Sequence, residues 1–336
     1  MAGARHGGAE AFFSRLVPAL ARAGIEQRAL MRGDARRLES LRTAGVPALP
    51  LRFGGALDLL TRRRIRREIH AFRPQIVLSW MSRAASMSPP GDGSFVHCGR
   101  MGGYYDLKYY RQCDHLIGNT PDIVAYLTSA GWPADRAHYL PNFVAAERKP
   151  AADRAQHQTP AEAPLLLALG RLHENKAFDV LLAALADVPQ AYLWLAGSGP
   201  LEAALKRQAA QLGLERRVRF LGWQDDPAPL YAAADVVVCP SRTEPLGNVV
   251  IEAWAQERPL VAAAAAGPRQ LIEPGGNGLL APIDDAAALA EALHRVLSEP
   301  GLAMRLAAGG LERYERSFTE AAVVAQYLRF FQEVAP

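Results

Sequence analysis

Two glutamates and the loop between them are the residues best placed to do chemistry in this chain. Glu244 and Glu252 stand eight positions apart in the stretch VVCPSRTEPLGNVVIEAWAQ. Pro245 and Gly247 break the apolar run, and Asn248 is of a residue type that caps helices. The free amides of a first helical turn, with the positive end of its dipole, favour phosphate. At about 1.5 Å per helical residue the two carboxylates would lie roughly 8 to 12 Å apart, enough to reach from a sugar past a diphosphate to a ribose.

A second stretch offers positive charge for the same phosphates. An apolar run over residues 165–169 ends at Gly170, and Arg171 and Lys176 follow it five positions apart. A guanidinium forks to two oxygens and an ammonium acts as a point charge, so this pair would clamp a diphosphate from one side. The simpler alternatives are two surface bases here and, for the glutamates, a loop acid and a solvated helix acid.

Together these stretches resemble the family 4 retaining glycosyltransferases of the GT-B fold. That family has an E-P-x-G-x4-E element, matched by residues 244–252, and a G-R-x4-K element, matched by residues 170–176. The resemblance covers most of the chain. It implies that Glu244 contacts the donor sugar and Glu252 the ribose of the nucleotide. It also implies that Arg171 and Lys176 bind the diphosphate.

The same resemblance assigns further residues to the donor site. Gly7 and Gly8 would form a loop against the donor phosphates. His97, at the end of a predicted strand over residues 94–97, would touch the donor sugar, with a structural histidine as the alternative. The remaining predicted contacts to the nucleotide sugar are Gly170, Gly197, Gly199, Trp223, Leu246, Gly247 and Asn248.

The resemblance implies a hexosyltransferase-type reaction with retention of anomeric configuration. It implies neither a metal ion nor a cofactor beyond the nucleotide-diphosphate sugar, and no residue is marked as a covalent nucleophile. The expected acceptor is a glycan or glycolipid of lipopolysaccharide or another envelope polysaccharide. Two alternatives stay open: a sugar-nucleotide epimerase of the same architecture, which needs no acceptor, and a sugar-nucleotide-binding protein that has lost catalysis.

Two α/β domains are needed to position these residues, and 336 residues are enough to build both cores. The second half alternates apolar strands with helices, which predicts a doubly wound parallel sheet. The resemblance implies a GT-B arrangement of two Rossmann-like domains facing a cleft. The predicted division is an acceptor-binding domain over 1–147, a linker over 148–164, a nucleotide-sugar domain over 165–312, and a C-terminal helix over 313–336 that packs back on the first domain.

The segment before Gly7 departs from the family pattern. The resemblance implies a first, central strand ahead of the Gly-Gly loop, but no apolar strand precedes it here. We expect the native start to lie upstream, because loss of a central strand would leave its two neighbours unpaired. Further along, residues 82–90 are predicted to be an acceptor-side loop.

Charge is divided unevenly between the two halves. Residues 1–150 hold 22 of the 38 Lys and Arg residues but 12 of the 34 Asp and Glu residues, which predicts an anionic partner for the first half. The sequence carries no nucleic-acid-binding module, so nucleic acid is disfavoured. A predicted helix over residues 57–72 crowds five arginines: Arg62, Arg63, Arg64, Arg66 and Arg67. This face predicts docking on an anionic membrane, with an ordinary solvated helix face as the alternative.

Two further features bear on location. Apolar runs of 18 residues and a signal peptide are both absent from the sequence. The three cysteines are too few and too scattered for a disulfide framework. We therefore expect a cytoplasmic protein that is peripheral at the inner face of the membrane.

Overall fold

The computed structural model describes residues 1–3, 7–55 and 57–336, which form two compact units. Unit 1 comprises Met1–Phe143 and Glu320–Pro336, and unit 2 comprises Val144–Thr319. Residues 148–164, predicted to be a linker, lie within unit 2. Arg154 holds them there by donating to the carbonyl of Ala233 at 2.7 Å and to the carboxylate of Asp235 at 2.9 Å.

Unit 1 contains parallel strands in two sheets. Its strands are β1 (Ala29–Arg32), β2 (Ala48–Leu51), β3 (Ile76–Trp80), β4 (Val96–Met101), β5 (His115–Gly118) and β6 (Ala137–Tyr139). Its helices are α1 (Gly8–Arg22), α2 (Ala35–Thr43), α3 (Leu59–Phe72), α4 (Met81–Met87), α5 (Pro121–Ser129) and the C-terminal α13 (Glu320–Val334). Within the described residues the sheet orders are β1-β2 and β3-β4-β5-β6.

The core of unit 1 is built on the apolar stripe of α1. Phe12, Phe13 and Leu16 are buried, as their helical spacing predicts, and they pack with Trp80 of β3 and Tyr327 of α13. Packing of this stripe fixes both α1 and the C-terminal helix on the unit, because each aromatic side chain removes a large apolar surface from water.

Three local predictions for unit 1 are wrong. The predicted loop over 82–90 is largely helical, since α4 covers Met81–Met87. The loop predicted at Gly7 and Gly8 is already the beginning of α1: Gly8 is its first residue, and Gly7 takes the cap position. The strand predicted over 94–97 runs from Val96 to Met101, which changes the position of His97 within it. Residues 4–6, ahead of the Gly-Gly pair, lie outside the described residues.

Unit 2 is a regular α/β domain. Its strands are β7 (Leu165–Leu169), β8 (Tyr192–Ala196), β9 (Val218–Gly222), β10 (Val236–Cys239), β11 (Leu260–Ala263) and β12 (Leu279–Ala281). Its helices are α6 (Phe178–Ala186), α7 (Glu202–Gln211), α8 (Ala228–Ala233), α9 (Asn248–Ala255), α10 (Ala266–Leu271), α11 (Ala286–Ser298) and α12 (Leu302–Ser317). Single 3-10 turns in the two units cover Leu107–Tyr110, Ala134–Arg136, Ala155–His157 and Glu174–Lys176.

The sheet of unit 2 has the order β12-β11-β10-β7-β8-β9, and its strand pairs are parallel. Leu166 and Ala168 of β7 pack in one core, and Leu165 and Leu167 pack in another. Strands buried on both faces read as continuous apolar runs, which is why the sequence revealed them. The predicted doubly wound parallel sheet is confirmed. The strand order reverses between β7 and β10, and ligands of such sheets bind outside the carboxyl ends of the strands at this switch point.

Candidate active site

A largely buried ion pair lies at the switch point of unit 2. Lys176 ends the turn that follows β7, Glu244 lies in the loop after β10, and the Lys176 ammonium forms an ion pair with the Glu244 carboxylate. Their side chains are only 23% and 13% exposed. Left-handed backbone at Ala177, with φ 51°, turns the chain from Lys176 into α6. The fold therefore brings together two predicted residues that are 68 positions apart.

The charge of Lys176 is secured by its surroundings. Burial by itself would lower the pKa of this ammonium, but the nearby carboxylate of Glu244, with a smaller contribution from Glu252, raises the pKa above its usual value. Lys176 is thus held protonated by its ion pair with Glu244, with a smaller effect of the charge of Glu252. A permanent, partly desolvated cation at this position suits a phosphate.

Glu244 is also bound to the start of α9. Its carboxylate accepts from the amide of Gly247 at 3.3 Å and from Oγ of Ser241 at 3.5 Å. Gly247 is left-handed, with φ 85°, and takes the cap position, so the prediction that Asn248 caps this helix is wrong: Asn248 is its first helical residue. The predicted loop, helix terminus and acid do occur next to one another.

The carboxylate of Glu252 is held by the buried phenol of Tyr231. The hydroxyl of Tyr231, on α8, donates to the Glu252 carboxylate at 2.9 Å. Burial raises the pKa of Tyr231 well above its usual value, and the charge of Glu252 raises it further, so the phenol remains a donor. One carboxylate oxygen is thereby held in place.

The predicted glycines bring the loops at the carboxyl ends of β7 and β8 into contact. A Cβ atom on Gly197 would lie 1.8 Å from the carbonyl oxygen of Gly170, and one on Gly199 would lie 2.4 Å from that of Leu172. The amide of Leu172 donates to the carbonyl of Ser198 at 3.0 Å. Close backbone approach explains these glycines structurally, and their predicted contact with a nucleotide stays a prediction.

Five other predicted residues occupy separate positions. Arg171 is exposed just after β7, and Trp223 is 54% exposed just after β9. Both follow carboxyl ends of strands in the sheet that carries Lys176. Leu246 is buried and packs in the core beneath the Glu244 loop. Gly7 and Gly8 are exposed in unit 1, at the start of α1.

His97 is not at a strand end, and that prediction is wrong. It is the second residue of β4 and is completely buried. Its ring nitrogens lie 2.9 Å from the carbonyl of Gln112 and 2.9 Å from Oγ of Ser79. Burial lowers the pKa of its imidazole. A neutral histidine held in this way inside the sheet stabilises the fold and has no surface to offer a sugar.

Sequence reasoning missed Arg242, which joins the two loops of the site. Its guanidinium donates to both carboxylate oxygens of Asp179 at 2.9 and 2.6 Å and to the carbonyl of Glu174 at 2.9 Å. The amide of Thr243 adds a bond to the carbonyl of Asn175 at 3.2 Å. These contacts fasten the Glu244 loop to the turn that carries Lys176. The available signal in the sequence was the position of Arg242 two residues before Glu244. Its partners, however, are distant in sequence.

A doubly wound parallel sheet with a cation, two acids and a helix terminus at its switch point defines an α/β protein whose candidate ligand site lies at the carboxyl ends of its strands. Comparison with known proteins is more specific. The family model described as "Glycosyltransferase Family 4" matches residues 6–148, and the model described as "Glycosyl transferases group 1" matches residues 163–299. The chain is 37% identical to the lipopolysaccharide core biosynthesis glycosyltransferase LpsE of Rhizobium meliloti (strain 1021), over 97% of this chain and 96% of LpsE. The chain belongs to the family 4 glycosyltransferases.

Other comparisons agree on family and fold. The lipopolysaccharide core biosynthesis glycosyltransferase LpsD of the same organism is 36% identical over 97% of this chain and 95% of LpsD. The crystal structure of Anabaena HepE in complex with UDP and glucose superposes with a TM-score of 0.84 at 20% identity, over 99% of this chain and 98% of HepE. The lipopolysaccharide outer core galactosyltransferase WaaB superposes with a TM-score of 0.78 at 18% identity, over 99% of this chain and 98% of WaaB. The predicted GT-B fold is confirmed.

Proposed function

We propose that this chain is a retaining glycosyltransferase of envelope-glycan synthesis that moves a sugar from a nucleoside-diphosphate sugar to a glycan or glycolipid. The observation that carries the proposal is Lys176, held charged by its ion pair with Glu244, whose carboxylate also binds the Gly247 amide at the start of α9. The names of LpsE and LpsD support an acceptor of the lipopolysaccharide core type. The excess of basic residues in the first 150 supports a phosphorylated acceptor bound by unit 1.

The proposed reaction depends on stabilising the leaving group. The bond from the anomeric carbon to the diphosphate oxygen breaks while a bond to the acceptor oxygen forms on the same face of the sugar. The acceptor proton passes to the departing phosphate oxygen. Lys176, Arg171 and the amides at the start of α9 stabilise the negative charge that develops on the diphosphate. Glu244 holds sugar hydroxyls, and Glu252 holds the ribose.

Donor identification is the first test. Thermal unfolding against a panel of UDP-, GDP-, ADP- and TDP-sugars should reveal one donor that stabilises the fold. Release of the nucleoside diphosphate should then require a core-type acceptor. Conversion of donor without acceptor would instead identify an epimerase, and tight donor binding without transfer would identify a binding protein.

Transfer is proposed to need no metal ion, because Lys176 and the α9 amides already stabilise the diphosphate charge. The rate should therefore be unchanged, within about twofold, after dialysis against EDTA. Removal of a metal ion that stabilised the transition state by about 1.4 kcal/mol would lower the rate tenfold. Loss of activity that Mg²⁺ or Mn²⁺ restores would contradict this part of the proposal.

We propose further that α3 docks on an anionic membrane. Leu57, two residues before α3, is 92% exposed, and Leu59 and Leu60 at the start of the helix are also largely exposed. One to two turns further on, Arg63 and Arg67 are exposed and, in the part of the chain that the structure describes, have no ion-pair partner. Apolar side chains beside free cations favour the boundary between headgroups and acyl chains.

Not every predicted arginine contributes to this surface. Arg64 is engaged within α3, since its guanidinium contacts the carboxylate of the buried Glu68 at 2.8 Å. Glu68 also binds Arg28 at 2.8 Å. The proposed membrane-facing arginines are therefore Arg62, Arg63, Arg66 and Arg67. Within the described residues, no helix has the length and apolar character needed to cross a bilayer.

Flotation with vesicles of phosphatidylglycerol and phosphatidylcholine tests the surface. Each base near an anionic membrane contributes about 1 kcal/mol, so Arg63→Glu with Arg66→Glu should weaken binding by at least about tenfold. Leu59→Ser with Leu60→Ser should weaken it too. The matched control is Arg207→Glu with Arg216→Glu, which changes net charge equally on exposed residues of unit 2. Equal loss in control and test variants would overturn the assignment to α3.

A further inference from the structure

The loop that follows β4 begins with a glycine that the backbone does not require. Gly102 lacks the left-handed φ that favours glycine, and among the described residues a Cβ placed on it would meet only Nδ2 of Asn119, at 3.8 Å. Glycines within the two neighbouring strands differ, because a Cβ on Gly99 or Gly118 would lie 2.8 or 2.9 Å from a neighbouring side chain. Close packing explains Gly99 and Gly118, whereas Gly102 borders open space.

This space lies where parallel sheets bind ligands. Met101 ends β4 and pairs with Gly118 of β5, so Gly102 and Asn119 are the next residues beyond the carboxyl edge of the sheet. Asn119 is 5% exposed, and its Oδ1 has no hydrogen-bond partner within the part of the chain that the structure describes. Rotation of the amide exchanges Oδ1 and Nδ2, so Asn119 can offer an acceptor or a donor at Gly102. A buried amide without a partner costs free energy that a ligand hydroxyl would recover.

An exposed aromatic side chain follows in the same loop. Tyr104 is 44% exposed, although both its ring and its hydroxyl are engaged. The ring packs edge-on against Tyr126 of α5, with ring centres 5.5 Å apart, and the hydroxyl bonds to the carboxylate of Asp122 on the same helix. The hydroxyl of Tyr126 donates in turn to the carbonyl of Tyr105 at 3.0 Å. Tyr104 is therefore a fixed aromatic platform that needs little ordering to bind a ligand.

The charges around this platform disfavour an anionic ligand. Asp122 places a carboxylate at its edge. The ammonium of Lys108 is paired with Asp106 at 2.7 Å, and Arg100 is only 2% exposed. A pyranose ring suits these surroundings, because it combines an apolar face of C–H groups with hydroxyls that both donate and accept.

We propose that Gly102, Tyr104 and Asn119 form a subsite for a neutral pyranose of the acceptor glycan. The apolar face of the sugar stacks on Tyr104, the ring occupies the space beside Gly102, and a hydroxyl bonds to the amide of Asn119. The inference rests on the proposed transfer to a glycan acceptor and adds the class of sugar that unit 1 selects. Charged groups of such an acceptor bind elsewhere on unit 1.

Saturation-transfer NMR on the full chain, without a nucleotide sugar, tests the subsite. The probes are the methyl α-glycosides of glucose, galactose, mannose and glucuronic acid. At least one of the three neutral glycosides should bind with a Kd of about 1 to 10 mM, as expected for a ligand of this size. The negatively charged glucuronide should bind more weakly than that neutral glycoside.

Two substitutions remove different parts of the subsite. Tyr104→Ala deletes the platform and Gly102→Leu fills the space, so each should weaken binding of the neutral glycoside at least about tenfold. The Tm of Gly102→Leu should stay within about 3 °C of the wild type, because its side chain enters open space. The matched controls are Tyr109→Ala, which removes an exposed tyrosine of the same segment, and Gly55→Leu, which fills open space in the loop before α3. Neither control should change the Kd.

Several results would overturn the subsite. They are the absence of binding by every neutral glycoside, equal weakening in test and control variants, and tighter binding of the glucuronide. Unfolding of Gly102→Leu would overturn it as well, because this glycine would then have a structural cause. Since the titrations contain no donor, their outcome is independent of whether transfer occurs, and the subsite and the proposed reaction can fail separately.

Discussion

Replacing Lys176 by Ala is the most direct perturbation of the proposed site. The substitution removes a side chain that is 23% exposed and whose ammonium contacts Glu244. We expect kcat for sugar transfer to fall about 10²- to 10³-fold, because one preorganised charge at a developing anion is worth roughly 2.7–4 kcal/mol. Affinity for the nucleoside diphosphate should fall much less, about tenfold at most.

The different sizes of the two effects follow from the ion pair. Without donor, Lys176 is already engaged by Glu244, so binding of a diphosphate replaces one anionic partner by another. In the transition state the leaving oxygens gain charge, and only then does the ammonium contribute fully. The variant also leaves Glu244 without its cation near the phosphates. Lys176→Ala with Glu244→Gln removes that repulsion, so its loss of kcat should be smaller than the product of the single losses.

Initial rates of nucleoside diphosphate release give kcat, and calorimetric titration gives the affinity for the diphosphate. Lys206→Ala is a matched control, since this lysine is exposed and pairs with Glu202 of the same helix at 2.7 Å. The control should change neither quantity. Equal losses of affinity and kcat in Lys176→Ala would refute a role in the transition state. Strictly multiplicative losses in the double variant would refute the coupling of Lys176 and Glu244.

Three further outcomes are expected. Tyr231→Phe removes the donor that fixes Glu252 and should raise KM for the nucleotide sugar about tenfold with a smaller change in kcat, measured by steady-state kinetics. Arg242→Lys keeps the charge but loses the fork to Asp179; kcat should fall several-fold while the Tm changes by only a few degrees, and an unchanged kcat would contradict its positioning role. Burial lowers the pKa of His97, His115 and His138 below the usual 6.5, so on acidification the unfolded chain takes up protons first. The free energy of unfolding should therefore fall as pH drops below about 6.5, and His138→Gln should flatten the dependence of Tm on pH between 7.5 and 5.5.

The sheet of unit 2 was predictable because its strands are buried on both faces. Runs such as Leu165–Leu169 and Val236–Cys239 consist of apolar residues throughout, which is the pattern of such strands. The acids and the cation of the site were also predictable from motif and strand-end position. Their contact was not, because Lys176 and Glu244 meet only through the pairing of β7 with β10.

The error at His97 has a definite physical cause. The strand continues through Cys98, Gly99 and Arg100, which do not read as an apolar run. Arg100 is nevertheless buried, with its guanidinium 4.5 Å from the ring centre of Phe12 and 4.7 Å from that of Trp80. Aromatic faces and polar partners stabilise this charge in the interior. A strand that contains a buried charged residue of this kind cannot be recognised from hydropathy alone.

The ion pair between Lys176 and Glu244 has a consequence for which molecules the site retains. In the proposed reaction, a diphosphate alone would draw Lys176 away and leave a largely buried carboxylate without a counter-ion. An intact donor would bring hydroxyls that donate to that same carboxylate as the diphosphate takes the ammonium. We therefore expect the site to bind the unreacted nucleotide sugar more tightly than the nucleoside diphosphate that remains after transfer.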